Sequence, residues 1–267
     1  MLLAQISDFH VVPPDTELGK LMQTPSYLEA ALAHVEAIEP SVDALLGTGD
    51  LVETGAREEY ELLATILEAT KKPLYLIPGN HDDREVMREV FRARGHDYLP
   101  AEGFLQYCVD LGAVRLVALD TLLPGEPGGL LCKERLAWLD QRLAEDSKPT
   151  LVMQHHPPFT TGISQMDEMG LEGRDEEEAI LRKHPHVERV ICGHLHRSIV
   201  RRFGGTIAST VPSTAHALEL DLRSPGRLAV LREPPACALH AWRGGALVSH
   251  ASVIGDFGPP YAVSYTH

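Results

Sequence analysis

Cysteine is scarce in this chain. The four cysteines among 267 residues, Cys108, Cys132, Cys192 and Cys237, stand far apart with no C-x-x-C pair. That spacing excludes a zinc ribbon or a dense disulfide framework and reads as isolated structural thiols. Long apolar runs are missing too: no stretch approaches the roughly 20 uninterrupted apolar residues of a membrane helix, so a soluble protein without a membrane role is expected. The first ten residues, MLLAQISDFH, lack the basic stretch and apolar core of a secretory leader. A cytoplasmic location is the expectation. Basic residues are outnumbered, 24 Lys and Arg against 38 Asp and Glu, for a formal net charge of -14. Such a chain repels polyanions at long range, which excludes extended nucleic acid as a partner. No internal repeat or low-complexity segment is found.

The remainder is ordinary in bulk. With 44% hydrophobic and 23% charged residues, a chain of this length can bury a full core, and one domain with elaborations is expected. Histidine is the unusual count. There are 14, several of them in tight clusters with Asp and Asn, which is the composition of a metal site.

Hydrophobic periodicity orders the chain into alternating elements. Residues 2–6 are short, apolar and strand-like, ending at Ser7 and Asp8. Residues 25–38 carry helical spacing at Leu28, Ala31, Leu32 and Val35, with Thr24 expected as the N-cap and Pro25 at the first helical position. Strands are expected at 42–46, 73–77, 105–109, 114–119, 150–154 and 187–192, and helices at 58–68, 133–143 and 176–183. The acidic run Asp175 to Glu178 reads as the first turn of the last of these helices, where the helix dipole favours negative charge. Alternation of this kind implies a mostly parallel sheet with helices outside and ligands gathered at the strands' carboxyl ends. Beyond residue 197 the pattern changes to a hairpin around Gly204 and Gly205, then a Pro- and Gly-rich tail.

Five strand ends carry polar signatures: Asp8-Phe-His10, Gly49-Asp50, Gly79-Asn80-His81-Asp82, Gln154-His155-His156-Pro157 and Gly193-His194-Leu195-His196. Taken singly, each is what a turn or loop offers for local backbone reasons. All five at the strand ends of one parallel sheet converge on one edge. Two carboxylates, one amide oxygen and four imidazoles, with no thiolate, suit manganese, iron, zinc or cobalt. Seven ligands exceed the three that a catalytic zinc takes from protein, so the count fits two metals sharing a bridge. Asp50, alone on the central strand, is the expected bridge. Asp8, His10 and His196 complete one ion, and Asn80, His155 and His194 the other. Two divalent ions, two carboxylates and one bridging hydroxide sum to about +1, a charge that attracts a phosphodiester monoanion.

The order DxH, GD, GNHD, HH, GHxH over residues 8–196 resembles the calcineurin-like metallophosphoesterase superfamily. The segments YLIPGNHDD, HHPPF, QMDEMGLEG and STVPSTAHA are similar to its branch of class III cyclic-nucleotide phosphodiesterases and bacterial glycerophosphodiesterases. The resemblance implies an α/β fold, a two-sheet β-sandwich flanked by helices in four layers. It makes residues 1–197 the catalytic core, and 198–267 a hairpin and cap that completes the same domain and mediates dimer contacts. It singles out His155 as the ligand of its pair and leaves His156 outside the ligand set. No ligand of the pattern is missing.

The activity this implies is metal-dependent hydrolysis of small phosphodiesters, cyclic nucleotides or glycerophosphodiesters, by a metal-bridging hydroxide. Phosphomonoester hydrolysis and a non-catalytic metal-binding scaffold are the alternatives. His81, directly after a ligand, is aimed across the site to stabilise the transition state or protonate the leaving alkoxide. Asp82 is expected to orient it, and Asp83 to cap the helix that follows. His216, in STAHA, matches a position where the branch places a histidine beside the substrate, so Asn80, His81 and His216 are the expected substrate contacts. Either of the last two is otherwise a turn or core histidine.

Overall fold

The computed structural model describes residues 1–259 and 261. The N-terminal elements are β1 (Leu2–Ile6), α1 (Glu17–Met22), α2 (Thr24–Glu36), β2 (Ala44–Thr48), α3 (Arg57–Leu67), β3 (Leu74–Ile77) and α4 (Arg84–Arg92). The middle contributes β4 (Tyr107–Asp110), β5 (Arg115–Ala118), β6 (Gly129–Leu130), α5 (Lys133–Ala144), β7 (Thr150–Met153), α6 (Ser164–Glu168), β8 (Leu171–Glu172), α7 (Arg174–Leu181) and β9 (Val187–Cys192). Then follow β10 (Val200–Phe203), β11 (Thr206–Thr210), β12 (Ala217–Leu218), β13 (Val230–Leu231), β14 (Ala236–Arg243) and β15 (Ala246–Val253).

The strands make two principal sheets, in the orders β15-β14-β1-β2-β3 and β10-β11-β9-β7-β5-β4. This corrects the expectation of one parallel sheet beneath all five polar strand ends. Three of those ends, on β1, β2 and β3, belong to the first sheet, and two, on β7 and β9, to the second. Within each group the pairing is parallel, so the carboxyl ends share an edge.

Alternation along the second sheet explains the layering. Leu116, Ala118, Leu151, Met153 and Ile191 join the core of the first sheet, while Val117, Val152 and Val190 pack under Leu139 and Leu143 of α5 and Ile180 and Leu181 of α7. On the outer face of the first sheet lie Leu28, Leu32 and Val35 of α2 and Tyr60 and Leu63 of α3. The result is helix, sheet, sheet, helix, with each buried leucine contributing about 1.5–3 kcal/mol. Gln5 ties the sheets together: its Nε2 donates to Thr48 Oγ1 at 3.1 Å in its own sheet and to the Cys192 carbonyl at 2.9 Å in the other.

Two local departures bear on the site. Helix α1 was not anticipated; Thr16 caps it by accepting from the Gly19 amide at 2.9 Å. Thr24 is not the cap of α2 but its first residue, because Gln23 takes the cap position with φ 54° and the Thr24 hydroxyl instead donates to the His10 carbonyl at 2.7 Å. The hairpin forms as expected, β10 to β11 through Gly204 and Gly205. The tail reaches further than a hairpin: β14 pairs antiparallel with β1 and β15 with β14. The last part of the 198–267 segment, 260 and 262–267, lies outside the described residues. Among the described residues, no helix is long and apolar enough to cross a membrane.

Candidate metal centre

The strand-end motifs meet because their backbones are interlocked. The Asp8 amide donates to the Gly49 carbonyl and the His10 amide to the Asp50 carbonyl, each at 3.0 Å, joining the first two motifs. The Gly193 amide donates to the His155 carbonyl at 3.0 Å, and the His194 amide to Asp8 Oδ1 at 2.9 Å, joining the second sheet to the first. Glycine is required at these crossings. A Cβ on Gly79 would sit 2.2 Å from Asp50 Oδ1, and one on Gly193 would sit 2.1 Å from Ser7 Oγ.

Backbone strain marks the same residues. Six non-glycine residues among those described have left-handed φ, and five are Asp8 (54°), His10 (46°), Asp50 (49°), His194 (70°) and His196 (49°). Such conformations cost of order 1–3 kcal/mol each and persist where the surroundings over-determine them, as at functional sites.

The expected ligands are brought together. Asp8, His10, Asp50 and His196 offer donor atoms within 4.8 Å of one another. His10 Nε2 lies 3.6 Å from Asp50 Oδ2 and 3.2 Å from His196 Nε2, and His196 Nε2 lies 3.4 Å from Asp8 Oδ1. On the other side of Asp50, His155 Nε2 is 3.4 Å from its Oδ2 and 3.2 Å from Asn80 Oδ1. The His194 ring stands 5.2 Å from that of His155, centroid to centroid.

Each of the four imidazoles has one nitrogen fixed by an acceptor. Nδ1 of His10 bonds the Glu53 carboxylate, Nδ1 of His155 the Thr48 carbonyl and Nδ1 of His196 the His216 carbonyl, at 2.8, 2.8 and 3.0 Å. His194 uses Nε2, on the Met169 carbonyl at 3.1 Å. Three Nε2 atoms and one Nδ1 are thereby left with lone pairs for an ion, the arrangement by which outer partners set a ligand's tautomer.

The electrostatics fit a dication. Burial pushes the pKa of His194 and of His196 down to about 3, so both are neutral ligands at pH 7. Burial alone would raise the Asp50 carboxyl, but His155, with His10 and His81 behind it, outweighs burial and holds Asp50 well below the usual range. Asp50 in turn lifts His155 to about 9 against burial, so the pocket around Asp50 favours positive charge. The Asp8 carboxyl is pushed up by burial, and its Oδ2 is buried with no hydrogen-bond partner. An orphaned carboxylate oxygen beside imidazole nitrogens is a donor set that fits a cation.

The remaining expected residues divide. His81 stands at the rim, its ring edge-on to His10 with centroids 4.7 Å apart. The expectation that Asp82 orients it is corrected: His81 Nδ1 bonds the Glu53 carbonyl at 2.8 Å. Asp82 is buried and turned inward, accepting from the Gly79 and Leu51 amides and the Tyr60 hydroxyl at 2.8, 3.1 and 2.8 Å, because three donors inside outcompete one imidazole at the surface. Asp83 does cap α4, accepting from the Glu85 and Val86 amides. His216 stands 4.6 Å from the His196 ring with a buried Nδ1 that has no partner, and burial pushes its pKa to about 3. His156 spends Nδ1 on the Thr121 hydroxyl and Nε2 on the Pro127 carbonyl. Glu53 was missed, although it serves both His10 and His81; its only signal was a carboxylate three residues beyond Asp50 on the same turn.

A cavity of about 320 Å³ has a polar lining of His10, Asp50, Glu53, Asn80, His81, His194, His196 and His216 and an apolar lining of Met22, Pro127, Met166, Met169, Leu218, Leu228 and Val230. Among the described residues, no Lys or Arg lines it.

Comparison with known proteins agrees with this geometry. Residues 1–198 match the family model described as calcineurin-like phosphoesterase. The chain is 30% identical over 262 residues to the glycerophosphodiester phosphodiesterase GpdQ of Enterobacter lignolyticus, covering 98% of this chain and 94% of that one. It is 28% identical over 214 residues to the 3',5'-cyclic adenosine monophosphate phosphodiesterase CpdA of Escherichia coli, covering 79% and 75%. Among solved structures it superposes on a dimetal phosphatase from Danio rerio with a TM-score of 0.67 at 15% identity, over 96% and 97% of the two chains.

Proposed function

The chain belongs to the calcineurin-like phosphoesterase family, and from that premise we propose that it is a metal-dependent phosphodiesterase of small diesters such as glycerophosphodiesters and cyclic nucleotides. The observation that carries this reading is the set of imidazoles around Asp50, each with one nitrogen anchored and one left for an ion. Asp8, His10 and His196 would hold one divalent ion, and Asn80, His155 and His194 the other, with Asp50 between them. Nitrogen and oxygen donors without thiolate suit manganese, iron, zinc or cobalt. Two such ions, when bound, would lower the pKa of water towards neutrality and offset negative charge on the phosphoryl oxygens.

The chain's own residues do the rest. His81 Nδ1 donates to the Glu53 carbonyl, so Nε2 is the nitrogen that faces the leaving alkoxide, and it is the imidazolium form, protonated on both nitrogens, that gives its Nε2 proton to the alkoxide and is left neutral. His216, its ring between those of His10 and His196 and the rim, contacts the substrate beside Asn80. Asp82 supports the turn that carries Asn80 and His81 by holding the Gly79 amide.

A cavity without Lys or Arg favours a monoanionic diester over a dianionic monoester, which needs more positive charge. Four free cysteines, two of them buried, suit a reducing, cytoplasmic compartment. A homodimer through residues 198–267 belongs to the same reading; a monomeric mass by light scattering would remove it.

The central test compares bis(p-nitrophenyl) phosphate with p-nitrophenyl phosphate, using metal-stripped protein before and after manganese is added. Diester turnover that appears only with metal is the expected result. Preference for the monoester would make the protein a phosphatase, and metal binding without turnover a scaffold.

A further inference from the structure

The apolar side of the cavity is built from three separate parts of the chain. Met22 comes from the end of α1, Met166 and Met169 from α6 and its C-cap, and Leu218, Leu228 and Val230 from the β12–β13 ribbon and the loop between them. The ribbon stands apart from both principal sheets. Its loop is braced by Asp221, which accepts from Arg223 Nε at 2.7 Å and from the Arg227 amide at 3.1 Å. Leu228 and Val230 are 47% and 56% exposed, large apolar side chains held at the mouth of a polar site.

The polar groups of the cavity lie among the imidazoles and their neighbours: the Met169 carbonyl is taken by His194 and Glu53 Oε2 by His10, while His216 Nδ1 has no partner. A substrate arm bearing hydroxyls that lay against the side chains of Met22, Met166, Leu218, Leu228 and Val230 would lose its water and find no hydrogen-bonding side chain among them, a penalty that apolar arms escape. Thioethers, by contrast, make favourable contacts with aromatic ring edges and adapt to their shape.

Resting on the diesterase reading, we propose that this wall receives the arm of the diester that points away from Asp50. The substrate class follows: diesters whose non-leaving arm is a flat, uncharged aromatic group, in preference to those with a polyol arm. Met22, Leu228 and Val230 act as specificity residues that bind the arm, outside the reacting atoms.

The test uses the full chain loaded with manganese and three diesters that share p-nitrophenolate as leaving group, with phenyl, methyl or 2,3-dihydroxypropyl as the second arm. The leaving group is constant and the intrinsic reactivities of the diesters cancel between wild type and variant, so the change in the kcat/KM ratio on substitution, and its KM component, read arm binding. The phenyl diester is expected to exceed the dihydroxypropyl diester by about tenfold or more, carried by KM. In Leu228→Ser/Val230→Ser, and independently in Met22→Ser on a different element, that ratio falls towards one. The two half-exposed positions tolerate serine without loss of core, and Met22→Ser provides a second reading if the double variant fails to fold. A wild-type ratio of one or below, or a ratio unchanged in the variants, overturns the proposal. Turnover of none of the three diesters refutes the diesterase reading beneath it.

Discussion

Replacing Gly79 with alanine tests whether the turns that follow β2 and β3 must meet at atomic contact. The added Cβ would lie 2.2 Å from Asp50 Oδ1, 2.4 Å from the Asp50 amide nitrogen and 2.8 Å from His155 Cε1. Gly79 is not in the left-handed region, so the substitution adds bulk without backbone strain. The Asp50 nitrogen is main chain and cannot swing aside, so the β3 turn must retreat from β2 by about 1 Å, a displacement that misplaces reacting groups enough to cost roughly 100-fold in kcat. Over-packing of this kind costs about 1–3 kcal/mol in stability. The expected outcome is a folded protein with reduced metal content by plasma emission and kcat on bis(p-nitrophenyl) phosphate about 100-fold lower under saturating manganese. A Gly79→Ala protein with wild-type metal content and kcat within about twofold would refute the reasoning, because the turn would then be free to move without disturbing Asp50.

Glu53→Ala removes the partner of His10 Nδ1 and should weaken manganese binding about 10- to 100-fold in a titration followed by calorimetry; unchanged affinity would show that the carboxylate is idle. His81→Ala should lower kcat by about 10²–10⁴-fold while metal content stays at the wild-type level. Loss of metal instead would make His81 a ligand. Glu177 is fully buried on α7, where burial pushes its carboxyl pKa up to about 8, and its nearest partner is Gln154 Nε2 at 3.4 Å. The folded state thus retains a proton that the unfolded chain releases above its ordinary pKa of 4.5, so stability is greatest at low pH and is lost as pH rises through 4.5 to about 8. The loss is on the order of 4–5 kcal/mol. Thermal melts from pH 5 to 9 should slope downward in the wild type and flatten in Glu177→Gln; parallel slopes would place the titration elsewhere.

The strand-end ligands were legible because their chemistry is local. Asp50, Asn80 and His194 each follow a short apolar run that reads as a strand, and the glycine directly before each, Gly49, Gly79 and Gly193, announces close approach. The division into two sheets was not legible by pattern, since β1, β2 and β7 are buried on both faces and read as the same apolar run whichever sheet holds them. Only the resemblance supplied it. Asp82 was misread because the donors that claim it, from Leu51 and Tyr60, are distant in sequence. Glu177 was read as one of several acids that a helix dipole favours in its first turn, yet the helix rotates it into the core. Strands β14 and β15 were illegible for another reason: β14 is specified by its partner β1, over 200 residues earlier.

That pairing has a consequence for synthesis. Leu2 lies opposite Ala241, and the Trp242 amide donates to the Met1 carbonyl at 2.9 Å. On a ribosome adding about 5–20 residues per second, β1 waits roughly 10–50 s for the strand that will cover its open edge. Throughout that interval an apolar ribbon with unpaired amides is available to any neighbouring nascent chain, so the hazard of misassembly falls on the earliest residues made, and slow translation of the middle of the chain would prolong it.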